Sequence, residues 1–205
     1  MKVLLINGSP HATGCTFTAL KEMEYVFQTH GVETEVIHVG HLDIHGCIAC
    51  RKCVELGHCV FNDIVNEVAP KFKDADGLVL GSPVYYASPA GGLLAFLDRL
   101  FFSASFNKTM KVGAAITSAR RAGTVASFDV LNKYFSISGM PIATSQYWNE
   151  VHGSSAEEVK QDLEGMQTMR TLALNMTFLM KSIALGKQEY GLPEKEEHVW
   201  TNFIR

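Results

Sequence analysis

Short apolar runs alternate along this chain with longer stretches in which apolar residues return every three or four positions. KVLLIN (2–7) and ADGLVLGSP (75–83) are apolar with little alternation, as strands covered on both faces are. ETEVIHV (33–39) alternates polar and apolar, VGAAITS (112–118) reads as a fourth strand, and MPIATSQYW (140–148) holds a fifth. Residues 15–29 carry Phe17, Leu20, Met23 and Phe27 at helical spacing, and 89–103 and 122–137 also read as helices. SSAEEV opens a final long helix at about residue 154, where Ser154 with Glu157, and Ser155 with Glu158, have capping-box spacing. Strands separated by helical crossovers predict an α/β protein with a parallel sheet buried on both faces.

Composition narrows the function more than the fold. At 205 residues, without repeats or a Pro/Gly-rich linker, the chain predicts a single domain, 1–205. A net charge of −3 gives no electrostatic case for nucleic acid. No apolar run reaches membrane-spanning length. MKVLLINGSP has too short an apolar run for a signal peptide and no small-residue cleavage site follows, so the expected location is cytoplasmic.

Ligands of open parallel sheets sit at the carboxyl ends of the strands, and the unusual residues lie there. After strand one, NGSPHATGCT (7–16) runs small and hydroxyl residues directly into a helix, which suits an anion. Its glycines fit neither G-x-x-x-x-G-K nor G-x-G-x-x-G, so it is not one of those phosphate loops. After strand three, GSPVYYASPAGG (81–92) places two prolines and adjacent tyrosines where a flat ring would lie; the plainer reading is that Tyr85 and Tyr86 cap the core. After strand four, TSARRAGT (117–124) sets Arg120 and Arg121 beside Gly123, either toward negative charge or in a solvated turn.

Four of the five cysteines form C-x2-C-x2-C-x5-C through Cys47, Cys50, Cys53 and Cys59. Four thiolates match iron–sulfur ligation. They also match tetrahedral zinc, although structural zinc sites usually pair two knuckles across a longer stretch. Two disulfides or free thiols complete the alternatives. Arg51 and Lys52 add positive charge that favours thiolates in every case. His11, His41, His45 and His58 flank these loops, and a loop histidine is more often solvated than ligating.

In this order the three loops resemble those of the flavodoxin-like NAD(P)H-dependent FMN reductase family, over essentially the whole chain. The first loop is similar to the family's G-S-P-R-x-x-G-N-T, with His11 in place of Arg and Cys15 in place of Asn. The segment GSPVYYASPAGGLLAFLDRL (81–100) is similar to the isoalloxazine loop and its following helix, and Leu94 stands where Lys is common. SQYWNEVHG (145–153) and the ending TNFIR (201–205) also resemble members. The resemblance implies a three-layer sandwich with a five-stranded parallel sheet in the order 2-1-3-4-5. It implies FMN held by Ser9, His11, Gly14, Cys15 and Thr16 at the phosphate. Around the ring it implies Pro83, Val84, Tyr85, Tyr86, Ser118, Arg120, Arg121 and Gly123. Within the family the cysteine pattern resembles the iron–sulfur flavoproteins, which implies a [4Fe–4S] cluster on Cys47, Cys50, Cys53 and Cys59. The expected activity is an oxidoreductase that passes electrons from NAD(P)H to a quinone, a flavin or similar small acceptor, or to a redox partner. A homodimer or homotetramer would cover the exposed ring. An FMN electron carrier without nicotinamide turnover and a zinc-stabilised interaction module are the rival readings. No residue is singled out as a catalytic acid or base.

Overall fold

A computed structural model describes residues 1–201 and 203; Asn202, Ile204 and Arg205 of the TNFIR ending lie outside the described residues. The elements run β1 (Lys2–Asn7), α1 (Cys15–Thr29), β2 (Glu33–His38), α2 (Cys53–Leu56), α3 (Ile64–Asp74), β3 (Gly77–Tyr85), β4 (Ser88–Pro89), α4 (Gly91–Ser103), β5 (Val112–Ala119), α5 (Thr124–Ile137), β6 (Glu150–His152), α6 (Ala156–Gln161) and α7 (Leu163–Tyr190).

The sheet is flavodoxin-like. Its parallel strands lie in the order β2-β1-β3-β5-β6, which in chain order of the parallel strands is 2-1-3-4-5. Alternation along each strand feeds two cores. Val3 and Leu5 of β1 face Leu20, Met23 and Phe27 of α1 and Met169, Leu172 and Met176 of α7. Leu4 and Ile6 face the opposite layer, with Val65, Val68 and Phe72 of α3, Phe96 and Leu97 of α4, and Leu131 and Phe135 of α5. β1 is apolar from Val3 to Ile6 because both of its faces are covered.

The fold departs from the sequence expectation in several places, α2 and α3 among them, which the sequence reading did not name. The two-residue β4 pairs antiparallel with the end of β3, Val84 with Pro89 and Tyr85 with Ser88. The fifth strand is not 140–148. That stretch makes one isolated bridge, Ile142 with Gly113, and the paired strand is Glu150–His152. Between them Ser145 Oγ lies 2.7 Å from both Tyr147 O and Asn149 Oδ1, its one hydrogen serving either, and this bend takes the backbone off the ladder. The last helix is also divided. Asp162 caps α7 by accepting from Gly165 N at 2.9 Å and also accepts from His152 N at 2.7 Å, so the chain turns there.

Candidate functional site

The carboxyl ends of β1, β3 and β5 bring three loops together. In the first, the Asn7 side chain is fully buried and accepts from Ser9 N at 3.0 Å. Ser9 Oγ then accepts from His11 N at 3.2 Å, and His38 Nε2 donates to Ser9 O at 2.7 Å. These bonds fix the loop before helix α1 begins. Gly14 is the N-cap residue of α1; no side chain caps this end and no acidic residue lies in the first turn. The first amides of a helix have no intrahelical acceptor, so this end attracts an anion. His11 is exposed, while Gly14 and Cys15 are half-buried. Burial pushes the Cys15 thiol up, and its Sγ donates to Gly153 O at 3.5 Å, so Cys15 joins α1 to the turn after β6.

Thr16 closes the first loop against the third. Its Oγ1 shares a 2.8 Å hydrogen bond with Ser118 Oγ at the end of β5, and both residues are buried. Two hydroxyls that share one hydrogen bond leave a second hydroxyl hydrogen free for an outside acceptor. The second and third loops meet at Gly123, whose φ of +91° is left-handed; a Cβ there would lie 2.9 Å from Val84 Cγ1 and 3.0 Å from Ala87 Cα. Pro83 and Val84 are half-buried, Tyr85 is exposed, and Tyr86 is fully exposed at φ +50°. Arg120 and Arg121 are exposed on the same edge. Together the three loops bring the N-terminus of α1, the exposed Tyr85 and Tyr86, and the exposed Arg120 and Arg121 to the carboxyl edge of the sheet.

Some sequence readings need correction. Trp148 and Asn149 do not end the fifth strand but precede it. Asn149 is buried and its Nδ2 donates to Ala115 O at 3.1 Å, so it splices the start of β6 to β5. Trp148 is half exposed. In LLAFLDRLFF (93–102), Leu93, Phe96, Leu97 and Leu100 are fully buried, Phe101 packs on Phe72 and Tyr134, and Phe102 is exposed.

All five cysteines are free thiols. Cys47, Cys50, Cys53 and Cys59 line one recess of about 20 Å³, with Phe61, Arg99 and Phe102 in its wall. Ala49 and Arg51, alternating with the cysteines, have φ of +52° and +57°; left-handed non-glycine residues concentrate at functional sites. Among the described residues no three His, Cys, Asp or Glu side chains converge as single-ion ligands. A mononuclear metal needs all its sulfurs about 2.3 Å from one point, whereas a four-iron cluster takes its thiolates at separate irons. Four thiols lining one apolar recess are the donor set that such a cluster would use. Arg99 carries the geometry here and was missed in the sequence: it stands in the quoted FLDR stretch, but nothing there announced a buried guanidinium.

A family model described as NADPH-dependent FMN reductase matches residues 1–154. An iron–sulfur flavoprotein of Methanocaldococcus jannaschii is 31% identical over 191 residues, which cover 89% of this chain and 99% of the relative. An iron–sulfur flavoprotein of Methanosarcina thermophila is 28% identical over 195 residues, covering 92% and 100%. Among solved structures, RosB with a bound 8-demethyl-8-formylriboflavin-5'-phosphate intermediate aligns with a TM-score of 0.71 at 14% identity, covering 100% of this chain and 92% of that one, a likeness of fold alone.

Proposed function

This chain belongs to the NADPH-dependent FMN reductase family, and from that premise we propose an FMN-dependent oxidoreductase that draws electrons from NAD(P)H and delivers them to a small acceptor or a redox partner through a [4Fe–4S] centre. The observation that supports it most is the convergence of the three loops, at the Thr16–Ser118 hydrogen bond and at Gly123 against Val84 and Ala87. When bound, FMN supplies the exchange between hydride and single-electron chemistry. The protein binds and orients. The uncapped amides at the start of α1, with the hydroxyls of Ser9, Thr16 and Ser118, suit the phosphate. The exposed His11 stands beside this site, its Cβ 3.1 Å from where a Cβ at Gly14 would lie. Pro83 to Tyr86 and the Gly123 turn offer the ring a shelf with one open face. A second copy of the chain would cover that face, which supports a homodimer or homotetramer. Cys47, Cys50, Cys53 and Cys59 would hold the cluster.

Absorbance of protein purified without air tests this reading. Flavin bands near about 370 and 450 nm, broad absorption near about 400 nm, and bleaching by NADH or NADPH are expected, as these cofactors dictate. Flavin that neither nucleotide bleaches would make the protein an electron carrier. Protein that binds no FMN on titration would overturn the reading.

A further inference from the structure

Arg99 lies in the middle of α4 and is 1% exposed, the bulkiest of the fully buried side chains. All five of its N–H groups are used. Two reach the Asp63 carboxylate, Nη1 to Oδ2 at 2.6 Å and Nη2 to Oδ1 at 2.8 Å. Two reach backbone carbonyls on either side of the cysteine segment, His45 at 3.3 Å and Phe61 at 3.4 Å. The fifth, on Nε, donates to Cys59 Sγ at 3.2 Å. The Phe61 ring lies 4.8 Å from the guanidinium carbon and stacks on His45.

A buried cation is costly unless its partners are complete. Asp63 balances the charge, so the bond to sulfur is not needed for neutrality. It is directed at one of the four thiols, and the carbonyl bonds hold the segment that carries the other three. Hydrogen bonds to cysteinyl sulfur and nearby charge are what set the potential of an iron–sulfur centre.

We infer that Arg99 is the positioning residue of the cysteine segment, fixing Cys59 against α4 and placing a buried positive charge beside a ligating sulfur, so that it favours the reduced cluster. This rests on the reading of the four cysteines as cluster ligands. Reduction adds one electron, supplied by the reduced flavin, to a centre already negative from its four thiolates; a neighbouring cation stabilises that added charge.

The test is a redox titration, followed by electron paramagnetic resonance, of full-length FMN-loaded protein reconstituted with iron and sulfide. Arg99→Met should shift the one-electron equilibrium at least tenfold toward the oxidised cluster, 59 mV, with FMN content unchanged. Asp63→Asn should shift it in the opposite direction. That variant keeps the shape of the side chain and the cap that Asp63 gives Val65 N at 3.1 Å, while leaving the arginine charge unbalanced. Opposite shifts are not produced by loosened packing. Both variants within threefold of the wild type, or moving the same way, would overturn the role of Arg99 alone. Wild-type protein that takes up no iron would overturn the cluster reading and this role together. If Arg99→Met does not fold, Asp63→Asn decides: a shift toward the reduced cluster supports the role, and none removes it.

Discussion

Thr16 offers a perturbation whose two effects can be separated. Its side chain is 1% exposed, with Oγ1 2.8 Å from Ser118 Oγ. Its methyl is the atom a Cβ at Gly81 would meet first, at 2.9 Å, so it packs against β3. Thr16→Ala removes both groups. A buried hydroxyl left without its partner costs about 1–3 kcal/mol, and the lost methyl adds about 0.8 kcal/mol. Urea unfolding of the flavin-free protein should therefore show a loss of about 2–4 kcal/mol. Thr16→Ser keeps the hydroxyl and should lose only about 1 kcal/mol, the methyl share with some relaxation. Flavin binding follows a different rule. A hydroxyl that donates to the phosphate is a bond to a charged acceptor, about 1.5–3 kcal/mol, so Thr16→Ala should weaken FMN about ten- to a hundredfold. Thr16→Ser should stay within a fewfold of the wild type. Titration by quenching of flavin fluorescence measures both. An FMN affinity for Thr16→Ala equal to that of the wild type would refute the reasoning, because the stability loss by itself gives the hydroxyl no role toward the phosphate.

Two further substitutions probe the shelf. A Cβ at Gly40 would lie 2.2 Å from Ser9 O, so Gly40→Ala must displace the first loop; isothermal titration should show FMN binding more than tenfold weaker, and unchanged affinity would mean that the position of Ser9 does not matter. Tyr86 is fully exposed and left-handed, so Tyr86→Gly should relieve about 1 kcal/mol of backbone strain while weakening the flavin severalfold. A variant less stable than the wild type in urea would show that Tyr86 is held there by packing rather than strained there for a ligand.

Much of the fold was legible because burial on two faces leaves a plain pattern. β1, α1 and the bounds of β5 follow directly from apolar runs and helical spacing. The fifth strand misled because MPIATSQYW is apolar enough for a strand, while what takes it off the ladder is the side chain of Ser145, bonded within its own bend. α3 was passed over although its signal was present. Val65, Val68 and Phe72 recur at helical spacing behind an Asp63 cap, but Pro70 in the same stretch reads as a breaker. The loops at the sheet's carboxyl edge could be named from their residues and from resemblance to a family. How they touch could not, because the Thr16–Ser118 bond joins positions 102 residues apart. Arg99 was illegible for a related reason: one arginine between apolar residues gives no sign that five acceptors from another part of the chain surround it.

The order of synthesis gives that distance a meaning in time. Cys59 precedes Arg99 by 40 residues, so during translation all four thiols leave the ribosome before the residue that anchors them. At about 5–20 residues per second the gap is about 2–8 s. In that interval the cysteine segment has neither its carbonyl clamps nor its guanidinium neighbour. A nascent chain interrupted before residue 99 would carry its thiols unanchored, and oxidants met during synthesis would act on this segment before Arg99 and the third loop exist.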